Sequence, residues 1–273
     1  MHRMTAFLFG LMALVGFAEP AFALLPEGYA LSFQPAATPV AERIQEFHSL
    51  LFIIITGIVI FVMGLLLYVI VRFNAKANPV PSQTTHNTLL EVVWTAVPVI
   101  ILIIIAIPSF KLLYYQDRAV DPEMTLKVTG YQWYWGYEYP DENIIFDSYI
   151  IEEKDLRADQ PRLLTVDHEV VVPVNKVVKV LITANDVLHA WALPAFGVKR
   201  DAVPGRINET WFKAEKEGTY YGQCSELCGI KHAFMPITVK VVSEEDYQEW
   251  LSEARVKFAK EEIENDKLKI ASK

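Results

Sequence analysis

"FHSLLFIIITGIVIFVMGLLLYVIV", residues 47–71, holds no Asp, Glu, Lys or Arg in 25 positions. A helix of that length crosses a bilayer with some tilt. A second uncharged run, "VVWTAVPVIILIIIAIPSF", occupies 92–110. Pro98 and Pro108 within it are tolerable where a neighbouring helix or water satisfies the freed carbonyls. A buried helix of a soluble protein rarely continues so far without a polar face, so both runs read as membrane spans.

The segment joining them carries Arg72 and Lys76 and no acid before Glu91, whereas acids are frequent after the second run. The positive-inside bias therefore puts the connecting loop in the cytoplasm and both flanks outside. The N-terminus agrees. His2 and Arg3, an apolar Thr5–Phe17 and the small-x-small Ala21-Phe22-Ala23 form a signal-peptide pattern over 1–23, with the mature chain starting at Leu24. Residues 24–115 are then a membrane hairpin in a bacterial inner membrane, and everything from 116 onward is periplasmic, an oxidising compartment. Glu91 stands at the cytoplasmic mouth of the second span. It is readable as an interfacial carboxylate favoured by the helix dipole or as a proton-entry group. The net charge of −8 argues against nucleic acid and leaves a basic protein partner open.

Within an outer domain of 116–242, residues 125–242 read as strands. "TLKVT" (125–129), "VVVPV" (170–174), "VVKVLIT" (177–183) and "ITVKVV" (237–242) are β-branched and punctuated by Gly, Pro, Asn and Asp, which predicts an all-β Greek-key sandwich or barrel. From 243 to 273 the chain reads as a polar helical tail, with Ser243 as cap and Asp246 three residues on.

"QCSELCGIKHAFM" (223–235) holds the chain's only cysteines, Cys224 and Cys228, followed by His232 and Met235. In an exported domain two cysteines first suggest a disulfide. The neighbours argue for a metal. Thiolate, imidazole and thioether together select copper over magnesium or calcium, and a tetrahedral zinc site seldom uses methionine. A blue-copper site needs one cysteine and two histidines. Two cysteines suit two coppers bridged by both sulfurs, and that needs a second histidine. His189 in "NDVLHAWALP" supplies it; His2, His48 and His86 lie in the leader and membrane region, and His168 stands alone in an acidic turn. A site closed by protein donors carries electrons rather than binding oxygen.

"GYQWYWGYEYP" (130–140), "DVLHAWALPAFGVKRDAVPGRIN" (186–208) and "YYGQCSELCGIKHAFMPI" (220–237), behind a two-helix hairpin, resemble subunit 2 of the haem–copper cytochrome c oxidases over nearly the whole chain. The resemblance implies a cupredoxin-like fold holding a binuclear copper A centre, with His189, Cys224, Cys228, His232, Met235 and the carbonyl of Glu226 as ligands. It also implies that the Glu226 carboxylate reaches a magnesium or manganese ion shared with the haem-containing catalytic subunit. Trp133 becomes an exposed ring through which cytochrome c delivers its electron, with Trp135 and Tyr139 structural. Glu91 becomes the entrance of a proton channel. The partners implied are the catalytic subunit, further oxidase subunits, cytochrome c and membrane lipid, with no nucleic acid. The function implied is electron entry from cytochrome c to the subunit that reduces oxygen to water with proton pumping.

Rival readings fit less well. A quinol oxidase subunit 2 lacks the copper ligands, and a copper chaperone or a nitrous-oxide reductase domain lacks the paired spans. No C-x-x-C-H haem motif occurs, so the donor is a separate protein. From Glu138 to Asp159 eight acids stand against Lys154 and Arg157, and Asp167 and Asp186 join the expected docking face. A charge run is usually a solvated surface; set around Trp133, this one would steer a basic cytochrome c.

Overall fold

The computed structural model describes residues 31–117 and 121–271, with side chains as far as Phe258 in the last helix. The proposed leader, 1–23, lies outside the described residues.

Helix α1 spans Pro39–Arg72 and α2 spans Thr88–Asp117. Both overshoot the uncharged runs, because their outer ends belong to the soluble domain. Thr38 caps α1: its hydroxyl accepts from the Ala41 N–H at 3.1 Å, and Pro39 occupies the first helical position, where no N–H is missed. The same hydroxyl donates to the Phe196 carbonyl at 2.8 Å, and the Ala37 N–H donates to that of Ala195 at 2.9 Å. The start of α1 is thus bonded into the β-domain, and Val40 and Ala41 are buried. The end of α2 is tied down too. Trp211 Nε1–H donates to the Tyr115 carbonyl at 3.2 Å, and Arg200 pairs with Asp117 at 3.0 Å. In between, the apolar side chains of both helices are exposed, as expected for surfaces that meet lipid or other membrane subunits.

At the other end, Asn87 Oδ1 accepts from the Leu90 N–H at 3.2 Å while Glu91 Oε1 accepts from the Asn87 N–H at 3.3 Å. Glu91 therefore closes the first turn of α2, a structural task compatible with either reading of this carboxylate.

Ten strands follow: β1 Met124–Tyr131, β2 Tyr134–Tyr139, β3 Ile144–Ser148, β4 Val170–Pro173, β5 Val177–Ala184, β6 His189–Leu193, β7 Val198–Ala202, β8 Asn208–Lys213, β9 Gly218–Gln223 and β10 Pro236–Val242. They form a five-stranded sheet in the order β3-β2-β1-β5-β8, a three-stranded sheet β4-β10-β9 and a β6-β7 pair. Both larger sheets contain one parallel pairing, β1 with β5 and β10 with β4, which require crossovers between sheets. This is a cupredoxin-like Greek-key sandwich. Strict alternation in β1 and β5 sends Leu126, Val128, Val178, Val180 and Ile182 inward, against Trp135, Tyr137, Trp191, Phe196 and Phe212.

Ser243 caps α3, Glu244–Ala271, its hydroxyl accepting from the Asp246 N–H at 3.1 Å. This helix is not a detached polar tail. Tyr247, Leu251, Ala254 and Phe258 recur at helical spacing and are buried against the sandwich, with Phe258 stacked on Phe146 at 4.6 Å. His168 also has neighbours. Its Nδ1 lies 2.9 Å from the Asp147 carbonyl, and its ring meets those of Phe146 and Phe258 edge-on.

Candidate metal centre

β9 and β10 are antiparallel neighbours, and the loop joining them is the cysteine stretch. Pairing of Pro236 with Gln223, and a 3.3 Å bond from the Cys224 N–H to the Met235 carbonyl, pinch the loop shut at its base. Cys224 leaves β9, a single turn of 3-10 helix carries His232–Phe234, and Met235 enters β10. His189 is the first residue of β6 and is wholly buried. Its ring lies against Gly130 of β1, where a Cβ would come within 2.8 Å of His189 Cδ2, and edge-on to Trp135 at 5.9 Å. The 3.0 Å bond from the Ser225 N–H to the Ala190 carbonyl joins loop to strand.

The donor atoms converge. Cys224 Sγ lies 3.9 Å from His189 Nδ1 and 3.3 Å from the Glu226 carbonyl oxygen. Cys228 Sγ lies 3.6 Å from His232 Nδ1 and 3.5 Å from Met235 Sδ. The two sulfurs are 3.9 Å apart, far beyond disulfide bonding distance, and both thiols are free. Cys224 and Cys228 are only 6% and 3% exposed. His189, Cys224 and Cys228 alone bring three ligand atoms within 4.8 Å of one another. Each thiol thus has its own histidine and one weak donor, so the donors fall into two similar halves. The donor chemistry fits copper.

The surroundings act on the two thiols in opposite directions. Burial works against ionising Cys224, but the His189 imidazole and the loop amides outweigh it and bring the thiol down to about 7. Burial, and then the charge on Cys224, push Cys228 up to about 12. His189 is oriented from behind. Its Nε2 lies 2.9 Å from Asp186 Oδ1, which leaves Nδ1 facing the sulfurs, the outer-shell arrangement common to metal-binding histidines. Burial would raise the Asp186 carboxyl, yet hydrogen bonds from His189 and from the amides of Val187 and Gln132 hold it below the usual carboxylate range.

Asp186 is therefore engaged at the centre, a task the sequence reading missed. The motif D-x-x-H, with the acid one turn from a ligand, was the available signal. Two other expectations need correction. Trp133 is half-buried rather than a free-standing ring, and its Nε1–H donates to the Cys228 carbonyl at 3.2 Å. Nor do the acids ring it. β2 carries the chain away from Trp133 at about 3.3 Å per residue, so Glu138 sits roughly 15 Å along the strand. There Glu138 pairs with Lys127 at 2.6 Å and Glu142 pairs with Arg255. Asp167 accepts from the amides of Tyr149 and His168. Only the stretch after β3 returns: Glu152 and Glu153 join Tyr149, Lys231 and Phe234 in a groove of about 460 Å³ beside Trp133. Trp135 and Tyr139 are fully buried. Glu226 is exposed, between the thiols and beside Leu227 and Ile230, which are 76% and 87% exposed.

Comparison with known proteins points the same way. The family described as "Cytochrome C oxidase subunit II, periplasmic domain" matches residues 124–242, and "Cytochrome C oxidase subunit II, transmembrane domain" matches 26–112. A probable cytochrome c oxidase subunit 2 of Rickettsia bellii is 52% identical over 243 residues, covering 89% of this chain and 90% of the relative. The cytochrome c oxidase subunit 2 of Cereibacter sphaeroides is 50% identical over 248 residues, covering 84% and 82%. A crystal structure of the periplasmic domain of subunit II of cytochrome oxidase from Bradyrhizobium japonicum shares 56% identity. It covers 52% of this chain and 99% of the crystallised one, with a TM-score of 0.49.

Proposed function

The chain belongs to the cytochrome c oxidase subunit II family, and from that premise we propose that its β-domain is the electron-entry module of a haem–copper oxidase, built around a binuclear copper A centre. The observation that carries this reading is the meeting of two free buried thiols, two imidazoles, a thioether and a carbonyl at one loop. Copper held there would supply one-electron chemistry. His189 and the Glu226 carbonyl would hold the Cys224 side, and His232 and Met235 the Cys228 side. Cys224, Cys228, His189 and Met235 are buried, whereas His232 is half-buried and Glu226 exposed, so the centre opens to the surface on the His232 and Glu226 side only. Full-length chain loaded with copper in detergent is expected to hold two coppers per chain, with an EPR signal spread over two nuclei. One copper with localised hyperfine splitting would sink the assignment.

Cytochrome c is the proposed donor, entering at Trp133, whose indole N–H is bonded to the carbonyl of a ligand residue. The groove beside Trp133 is the near part of its docking surface; there Glu152 and Glu153 stand with Lys231 and Arg162, Glu152 paired with Lys154 and Glu153 with Arg162 at 2.8 Å, so steering rests on the longer-range field of the chain's net charge of −8, to which Glu138 and Asp167 contribute. Screening over about 8–10 Å makes capture weaken as salt rises. On the opposite errand, the exposed Glu226 and its apolar neighbours are proposed to face the haem-containing catalytic subunit, where the carboxylate would meet a magnesium or manganese ion. The positive-inside bias supports a periplasmic β-domain and a cytoplasmic Glu91, which is proposed as a proton-channel entrance into the same partner. Stopped-flow reduction of the assembled complex separates these tasks. Trp133→Ala is expected to slow electron entry at least tenfold while Glu91→Ala leaves it intact and slows a later, proton-coupled step. Slow copper reduction in the Glu91 variant would contradict its assignment.

A further inference from the structure

Gln132 lies in the turn between β1 and β2 and carries none of the donor atoms, yet it is bonded to both halves of the centre. Its main-chain N–H donates to Asp186 Oδ2 at 2.7 Å, and the other oxygen of Asp186 holds His189 Nε2. Its side-chain amide donates to the Cys228 carbonyl at 2.8 Å, beside the weaker bond from Trp133. The two halves belong to different parts of the fold: β6 pairs with β7, whereas the cysteine loop joins β9 to β10. Ser225 joins them at the Cys224 end, through the Ala190 carbonyl. Gln132 joins them at the Cys228 end.

Gly229 gives a second, independent sign that this contact is built in. It adopts φ +118°, a conformation that favours glycine, and a Cβ there would lie 3.2 Å from Gln132 Nε2 and 3.1 Å from Trp133 Cζ2. The backbone after Cys228 is thus brought against the turn as closely as a residue without a side chain allows. The amide group of Gln132 is otherwise at the surface, so its bond to the loop is not needed to fill a core.

We propose that Gln132 is a positioning residue: its side-chain amide clamps the Cys228 half of the ligand loop to the His189 half, and so sets how firmly the copper pair is held. The inference rests on the copper reading above and extends it to a residue outside the ligand set. Gln132→Met removes the donor at nearly constant shape and leaves the main-chain bond to Asp186 in place. Gln132→Lys restores a donor of similar reach.

The test uses full-length chain in detergent. Copper-loaded samples are mixed with excess chelator and the loss of the copper absorbance is followed; metal-free samples are treated with iodoacetamide and alkylation is read at Cys228 and Cys224 separately. In Gln132→Met, copper loss is expected to be about five- to tenfold faster, the effect of one net hydrogen bond. Alkylation should rise selectively at Cys228, and Gln132→Lys should stay within about twofold of the unaltered chain on both measures. Unaltered rates in Gln132→Met overturn the proposal, and so does a Gln132→Lys chain as leaky as the methionine variant, since the donor would then be irrelevant. Failure of the unaltered chain to retain copper would count against the copper reading itself, and the metal-free alkylation would still decide the role of Gln132.

Discussion

Cys228→Ser is expected to reduce the copper content of the full-length chain from two per chain to one or none, and to replace the delocalised signal by a localised one or by silence. Cys228 Sγ has three other donor atoms around it, at 3.5, 3.6 and 3.9 Å, belonging to Met235, His232 and Cys224. Cys224 Sγ is matched to it, with His189, the Glu226 carbonyl and Cys228 around it. A serine hydroxyl is harder, stays protonated at neutral pH and cannot bridge two coppers as a thiolate does. Losing an outer-shell partner of a metal site costs about 10–100-fold in affinity or activity, so losing a bridging ligand should slow electron entry by more than that. The fold should survive, because Cys228 lies in a small site and His232 Nδ1 offers the new hydroxyl a partner; the stability cost is about 1–3 kcal/mol. Met235→Leu makes the contrasting control. A thioether is a weak ligand, so two coppers should remain with a shifted potential. Atomic absorption with EPR on the three proteins decides the matter. Two coppers and an unchanged spectrum in Cys228→Ser would show that the sulfurs do not bridge.

The extent to which this site was legible in the sequence follows from how local each part is. Cys224, Cys228, His232 and Met235 share one loop, so spacing alone exposes them, and His189 is found because a copper pair needs another imidazole. The spans are legible because a bilayer demands an unbroken apolar run. What spacing cannot show is which surfaces the sheet brings together. Asp186 was assigned to docking because charge is visible and a hydrogen bond 2.9 Å long is not. The acid run from Glu138 to Asp159 is continuous in sequence but split in space, because β2 and β3 are a hairpin whose turn points away from Trp133. The buried face of α3 was hidden by its charge: Tyr247, Leu251, Ala254 and Phe258 are spread among many acids and lysines. Gln132 and Gly222 carry no chemical signal at all, and only the packing of strands from distant parts of the chain gives them a task.

Gly222→Ala is expected to damage both the fold and the centre. A Cβ built on Gly222 would lie 1.9 Å from the Ala192 carbonyl oxygen, 3.0 Å from the Ala192 carbonyl carbon and 3.3 Å from Leu193 Cα. All three obstacles are backbone, so no side chain can swing aside. Relief requires β9 to move away from β6 by about 1–1.5 Å, the shift that takes a 1.9 Å approach to the tightest contacts real side chains make. Those two strands are the ones that present Cys224 and His189, two residues after Gly222 and three before Ala192. The 3.0 Å bond from Ser225 to Ala190 lies directly in the path of the shift. Overpacking a well-filled interior costs about 1–3 kcal/mol, and more where backbone must yield; at about 2–4 °C per kcal/mol the melting temperature should fall by roughly 10 °C. A displacement near 1 Å between ligand-bearing strands should also weaken copper binding by about 100-fold. Gly130→Ala separates the two effects. The three atoms nearest its Cβ would all belong to the His189 side chain, Cδ2 at 2.8 Å, Cγ at 3.0 Å and Cβ at 3.2 Å, and a side chain can turn. That variant should melt within a few degrees of the unaltered chain yet lose copper, because the group that turns is a ligand. Thermal unfolding of the metal-free chains, followed by copper titration, measures both quantities. If Gly222→Ala melts like the unaltered chain and keeps its copper, β9 and β6 do not approach as closely as described, and the support of the centre must be sought in the β1–β2 turn alone.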